Sequence, residues 1–271
     1  MLFWFIYYHY LRSIIINSKV LYCLQSARQQ SEKMLAVLID PDNKTSDIKA
    51  LCKIANEVSV NYIFCGGSLV TQGQSDSCIK LIKQQTKIPV VIFPGNEMHI
   101  SNSADAILFL SLVSGRNAEY LIGKQVVSAP FLKRSGIEVM PTGYLLIDGG
   151  RTTTVNYVSQ TIPIPANKPD IAAATALAST MMGQQLIYMD AGSGALSPIP
   201  DEMIKKVKQT VDVPVIVGGG IDTAEKAFAA YDAGADVVVV GNALEKSPGL
   251  LHKLTAVRDS FEVSGSRIHS E

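Results

Sequence analysis

The 271-residue sequence has no surplus of charge of either sign, with 24 Lys and Arg against 24 Asp and Glu. It therefore lacks the positive potential that would draw nucleic acid, no nucleic-acid partner is expected, and any anionic ligand must be held locally. Paired cysteines are missing too. Cys23, Cys52, Cys65 and Cys78 show no CxxC spacing, which speaks against a zinc site and a disulfide framework and fits a reducing cytoplasm. The four histidines, at positions 9, 99, 252 and 269, avoid the expected strand ends, so histidine-assisted covalent catalysis is not expected. No lysine ends a strand as a Schiff-base enzyme would require; Lys133 and Lys168 fall in loops or at helix ends. No GxGxxG follows the first apolar run, which instead enters Asp40-Pro41-Asp42. Residues 1–16 are almost wholly apolar and aromatic but lack the basic start and small-residue cleavage site of a secretory signal. They also fall short of the ~20 uncharged apolar residues of a spanning helix. Two readings of this stretch stand side by side: contact with a membrane surface or partner, and a translated upstream stretch with no structural role.

What is present is core material. The chain is 47% hydrophobic and 18% charged, enough for parallel strands buried under helices. Short apolar runs at 34–39, 62–65, 90–93, 106–110, 138–146, 186–189, 215–217 and 237–240 read as strands. Helical patterns lie between them at 46–58, 76–85, 118–126, 169–182, 201–210 and 223–233, with another after Ala243. Right-handed crossovers make the sheet parallel, and eight units suffice to close it into a single (β/α)8 TIM barrel. An open doubly wound sheet is the second reading. The expected division is an apolar extension and the start of a leading helix over 1–30, then the barrel domain over 31–271. The leading helix, 19–33, is placed as a plug in the amino-terminal mouth, and 148–168, with Gly149, Gly150, Pro163 and Pro165, as a long binding loop.

Chemistry concentrates where strands meet glycines. In Val217-Gly218-Gly219-Gly220-Ile221 and Val240-Gly241-Asn242-Ala243, two late strands enter turns whose amides can approach phosphate oxygens. The plainer alternative is that these glycines only make tight strand-to-helix turns. A third strand runs into Tyr188-Met189-Asp190-Ala191-Gly192-Ser193-Gly194-Ala195, offering the Tyr188 hydroxyl, the Asp190 carboxylate and further donors at Gly192, Ser193 and Gly194; here the alternative is a loop-bracing acid. Across the barrel, Asp40 ends the first strand and Ser68 follows the second. A carboxylate with a hydroxyl suits Mg2+, which keeps several waters and binds through substrate phosphates, whereas an Asp-Pro pair alone is more often just a turn.

Taken in order, LIDPD at 38–42, FCGGS at 64–68, YMDAGSGA at 188–195, VGGGI at 217–221 and VVGNAL at 239–244 resemble the geranylgeranylglyceryl phosphate synthase family, over about residues 34–251. PTGYLLIDGGRTTTV at 141–155 is similar to the branch found in bacteria and some archaea. The resemblance implies a Mg2+-dependent prenyltransferase joining a polyprenyl group, geranylgeranyl by expectation, from its diphosphate to the C3 hydroxyl of sn-glycerol 1-phosphate in ether-lipid synthesis. It implies metal ligands at Asp40 and Ser68. It places glycerol phosphate contacts at Tyr188, Met189, Asp190, Ala191, Gly192, Ser193 and Gly194, at Gly218, Gly219 and Gly220, and at Gly241 and Asn242. Asp190, with Tyr188, is the expected catalytic group, orienting or deprotonating the hydroxyl. Two positions depart from the family pattern: Asp190 stands where many members carry glutamate, and Leu38 where some carry lysine. Diphosphate charge is then assigned to Arg116 or Arg151, and the prenyl tail to an apolar groove between the third and fifth units. A homo-oligomer and a cytoplasmic location with membrane association are further expectations. Competing readings are another phosphate-binding barrel enzyme and a non-catalytic phosphometabolite-binding scaffold.

Overall fold

Eight apolar runs become eight parallel strands in the computed structural model, which describes residues 19–67 and 75–265. The strands are β1 (Met34–Ile39), β2 (Tyr62–Gly66), β3 (Val90–Phe93), β4 (Ala106–Ser111), β5 (Glu138–Leu146), β6 (Leu186–Asp190), β7 (Val215–Gly218) and β8 (Val237–Val240). Each pairs with the next and β8 with β1, closing a barrel in chain order and removing the open-sheet alternative. Four strands run one residue beyond the sequence expectation, to Gly66, Ser111, Asp190 and Gly218. In a closed barrel a strand end has a neighbour on either side, so even a glycine or an acid there stays paired, as Asp190 is with Leu146 and Gly218.

Helices follow most strands: α1 (Lys19–Gln29) precedes β1, then come α2 (Thr45–Glu57), α3 (Ser75–Gln85), α4 (Lys124–Ser135), α5 (Thr154–Ser159), α6 (Pro169–Met181), α7 (Asp201–Thr210), α8 (Ala224–Asp232), α9 (Asn242–Lys246) and α10 (Leu250–Gly265). Local chemistry explains several. The first turn of α7 carries Asp201 and Glu202, favourable at the positive end of the helix dipole, and its buried face is Met203, Ile204 and Val207. Thr223 caps α8 by accepting from the Lys226 amide at 3.3 Å. Gly136 ends α4 with φ +72°, a left-handed turn that glycine adopts without a steric penalty.

Two expectations need correction. The helix expected at 118–126 is a π-helical turn, Glu119–Gly123, leading into α4, which continues to Ser135 with Pro130 inside it. The 148–168 stretch is not wholly irregular, since α5 lies within it and Ile164 bridges to Ile147. Between β3 and β4 the chain crosses without a helix, so one stretch of the barrel wall is covered by loop alone.

Strand alternation divides the core in two. Outward residues such as Val37, Ile63, Ile187 and Val217 pack under the helices. Inward residues such as Ala36, Phe64, Leu108, Met140, Tyr188 and Val239 fill the barrel, and Val20, Leu21, Leu24 and Ala27 of α1 close its amino end. The plug is pinned electrostatically: the Glu138 carboxylate accepts from the Val20 and Leu21 amides at 2.7 and 2.9 Å. Nearby, buried Asp236 meets Arg28 at 3.3 Å and Lys208 at 2.5 Å and accepts from the Val215 amide. Residues 1–16, for which a surface-contact role is one expectation, lie outside the described residues. No described helix is long and apolar enough to cross a membrane.

Candidate active site

With the amino mouth plugged, the barrel opens at the other end. There a cavity of about 530 Å³ is bounded by Asp40 after β1, Gly66 and Gly67, Tyr188 and Asp190 of β6, the Gly192–Ala195 loop, Gly219 and Gly220 after β7, and Gly241 and Asn242 after β8. Inward parity puts Tyr188 and Asp190 on its floor. Asp190 is buried, and one of its oxygens accepts from the Gly192 amide at 2.8 Å while the other accepts from the Tyr144 hydroxyl. No cation bonds it among the described residues. Burial raises its pKa above the ordinary carboxylate value, opposed by the hydrogen bonds from Tyr144 and Gly192. Burial also holds the Tyr144 and Tyr188 hydroxyls well above the usual phenol value, helped by the Asp190 charge, so both remain protonated donors.

The turns around this acid are built on close backbone approach. Gly219 has φ +82°, and a Cβ there would lie 2.7 Å from both Asp190 Oδ1 and the Gly192 amide nitrogen. Only glycine lets these two turns nest, bringing their amides onto one wall. The Asn242 side-chain amide donates to Ser193 Oγ at 3.0 Å, joining the turns after β6 and β8 across β7. Gly241, Asn242 and Ala243, at the start of α9, line the same cavity. The outcome is a polar recess fit for a phosphate group.

Opposite, Asp40 is half-buried; its Oδ1 accepts from the Asp42 amide at 2.9 Å. Desolvation raises its pKa, and the charges of Asp42 and Glu245 push the same way while that hydrogen bond opposes them. Ser68, its expected companion, lies outside the described residues.

A second space opens where the third unit lacks its helix. This slot of about 110 Å³ is lined by Phe93, residues 94–97, His99 and Ile100, Ile107 to Leu110 of β4, Tyr120, Leu132, Tyr144, Val155 and Val158. It spans the third to fifth units, where an apolar groove was expected. Phe93 lines both spaces, its ring 5.3 Å from Tyr188 and 6.1 Å from Tyr144 edge-on, with the two tyrosines 5.6 Å apart. The polar cavity and the apolar slot thus lie side by side: Phe93 lines both, Tyr144 only the slot, and Tyr188 and Asp190 only the cavity.

The expected phosphate residues Tyr188, Asp190, Gly192, Ser193, Gly194, Gly219, Gly220, Gly241 and Asn242 gather on the polar cavity with Asp40. Met189 and Ala191 do not line it. Alternation sends their side chains outward, where they pack in the layer under the helices, so contact through a side chain is corrected for these two. Gly218 also lies behind the wall, where a Cβ would come within 2.7 Å of the Tyr188 hydroxyl. Arg151 lines the cavity, whereas Arg116 bonds the Gly115 carbonyl and does not reach it. Sequence reasoning missed Tyr144 and Phe93. A signal for Tyr144 existed, because a ring two residues before the inward Leu146 must itself point inward; its meeting with Asp190 depended on the β5–β6 register, which the sequence does not declare.

Fold and site define a (β/α)8 barrel with a glycine-walled polar recess beside an apolar slot. The chain belongs to the PcrB family, whose sequence model matches residues 28–260. Among its relatives, geranylgeranylglyceryl phosphate synthase of Spirosoma linguale is 49% identical over 242 residues, covering 89% of this chain and 97% of that protein. The protein of the same name from Thermococcus kodakarensis is 46% identical over 220 residues, covering 80% and 86%. The crystal structure of (S)-3-O-geranylgeranylglyceryl phosphate synthase from Thermoplasma acidophilum, in complex with its substrate sn-glycerol-1-phosphate, superposes with a TM-score of 0.83 at 36% identity, covering 88% of this chain and 97% of that one.

Proposed function

We propose that this protein transfers a polyprenyl group, geranylgeranyl in the first instance, from its diphosphate to the C3 hydroxyl of sn-glycerol 1-phosphate. The observation that carries the reading is a glycine-walled polar recess, floored by a buried carboxylate, that shares Phe93 with a neighbouring apolar slot. The recess suits a small phosphorylated alcohol and the slot a long apolar chain, so their common border is where one substrate's hydroxyl reaches the other's reactive carbon. The synthase names of the bacterial and archaeal relatives, and the sn-glycerol-1-phosphate bound in the Thermoplasma acidophilum protein, support the same substrate pair.

In this reading the glycine turns hold the glycerol phosphate, and Asp190 receives the C3 hydroxyl proton as the new ether C–O bond forms and the allylic C–O bond to diphosphate breaks. The cluster of Phe93, Tyr144 and Tyr188 beside the acid would supply aromatic rings to favour the positive charge developing on the allylic carbon. Arg151, which lines the recess, is assigned to the diphosphate oxygens in this reading. Among the described residues no three His, Cys, Asp or Glu side chains form a metal cage. Asp40, a partly desolvated carboxylate beside Asp42 and Glu245, fits a cation held by one or two protein oxygens plus water and phosphate. Asp40, with Ser68, would hold Mg2+ there; when bound, it supplies charge neutralisation for the leaving diphosphate.

The test is transfer of labelled sn-glycerol 1-phosphate into an organic-soluble product by the purified full chain with Mg2+ and polyprenyl diphosphates of graded length. Product is expected, and it should be lost with chelator and absent with sn-glycerol 3-phosphate. Binding of glycerol phosphate without product from any tail would sink the reading in favour of another phosphate-binding barrel or a scaffold. A homo-oligomer and contact with a membrane surface belong to the same proposal, read by light scattering and by vesicle flotation.

A further inference from the structure

The Tyr144 phenol bonds the one buried acid of the site, yet no step above uses its hydroxyl. We propose that Tyr144 is a positioning residue whose O–H fixes the Asp190 carboxylate against the glycerol hydroxyl. The inference rests on the function proposed above and adds a part to it.

Register brings the pair together. Tyr144 lies opposite Tyr188 and Leu146 opposite Asp190, so the Tyr144 side chain leans along β5 toward the acid on the neighbouring strand. Its ring cannot swing away. Phe93 and Tyr188 flank it, and the ring is itself buried. The backbone beneath is held equally closely: a Cβ on the adjacent Gly143 would lie 2.0 Å from Ser179 Oγ of α6, so helix and strand are in direct contact one residue from the tyrosine. A carboxylate on a side chain as short as aspartate has little reach of its own. With one oxygen on the Gly192 amide and the other on Tyr144, the plane of the Asp190 carboxylate is set by two neutral donors on two different elements.

Neutral donors suit a base better than a cation does. A lysine or arginine in place of the phenol would hold the carboxylate so firmly ionised that it would be a poor proton acceptor. The Tyr144 proton stays on Tyr144, the hydroxyl proton of the acceptor goes to Asp190, and the hydrogen bond partly offsets the desolvation that favours the protonated acid. The titratable groups facing this acid are Tyr144 from β5 and Tyr188 from its own strand. Asp40, Arg151, Asp222, Glu245 and Lys246 border the wider cavity.

The experiment compares the pH profile of kcat/KM for the wild type and Tyr144→Phe, with Asp190 carboxyl titration by 13C NMR in both proteins. Activity requires the carboxylate, so it rises with pH through the Asp190 pKa. Removing a donor to the charged form should move that rise upward by about one pH unit, lower kcat, and leave the KM for glycerol phosphate within about twofold. A uniformly less active variant with an unmoved acid limb and an unmoved Asp190 titration would overturn the proposal, because a merely structural role moves neither. Should Tyr144→Phe fail to fold, 3,5-difluorotyrosine at position 144 donates a stronger hydrogen bond, and the limb should shift downward; no shift overturns the proposal equally. The NMR titration needs no turnover. An absence of product from wild-type protein therefore strikes the proposed reaction, while an unmoved titration strikes the role of Tyr144.

Discussion

Two buried aspartates sit at opposite ends of one barrel and are treated oppositely. Asp236, at the amino mouth, is clasped by Arg28 and Lys208 and accepts from the Val215 amide. Asp190, at the open mouth, has only a phenol and one amide. Two cations pair with the first acid, and those pairs fasten α1 and α7 to the strands. Neutral partners leave the second acid desolvated, with its pKa raised, which is costly for folding and useful for accepting a proton. The comparison teaches that burial alone does not mark a functional acid; the charge of its partners does.

The largest test of that contrast is Asp190→Asn. Turnover should fall by about 10²- to 10⁴-fold, the usual worth of a positioned base. Stability should move the other way. A carboxyl whose folded pKa lies above its unfolded value of about 4 binds its proton more tightly in the folded state. Its contribution is therefore fully favourable below the unfolded value and is lost as pH rises through the folded one. At pH 7 the variant, freed of a buried charge without a cation, should melt above the wild type, and the gap should narrow on acidification toward pH 4. A variant that melts below the wild type at pH 7 and keeps that deficit at pH 4 would show that Asp190 acts as a structural acid.

At the other end, Asp236→Ala strands Arg28 and Lys208 against each other under the barrel. Breaking a buried pair by removing one partner costs about 3 kcal/mol, and for a chain this long that lowers Tm by roughly 6–12 °C. Below that temperature the turnover of the folded variant should match the wild type, since the site lies at the far mouth. A large fall in kcat with little change in Tm would erase the distinction between the two acids.

The sequence made part of this contrast readable. Eight strand positions, the plugging helix and the glycine turns followed from local signals, because a buried parallel strand is a short β-branched run and a close backbone approach demands glycine. The polar side of the site was legible for the same reason: its residues sit at strand ends, where barrel geometry places them together whatever the fine register. What escaped detection was relational. Tyr144 reads as one more core aromatic until β5 and β6 are aligned, and Asp236 as one more surface acid until α1 is docked. The outward-facing Met189 and Ala191 were swept in by their motif, which is contiguous in sequence while the strand shows its residues to alternate sides. The slot beside β4 owes its existence to a helix that is not there, a feature that no run of residues announces.

A smaller effect sharpens the amino-end half of the comparison. Glu138 is a third acid, half-buried, whose partners are again neutral: the amides of Val20 and Leu21 at the start of α1. Those amides are the unpaired donors of a helix N-terminus, and the helix dipole favours a negative charge there. Unlike Asp190, this carboxylate caps a helix end, so neutral partners alone are not enough to make a base. Glu138→Ala should cost about 1 kcal/mol, the worth of a lost cap, and lower Tm by roughly 2–4 °C with kcat/KM unchanged. Because the plug is also held by Arg28 on Asp236, the loss should be deeper in an Asp236→Ala background than in the wild type. Strict additivity of the two substitutions would mean that α1 is fastened at two independent points and does not dock as one unit.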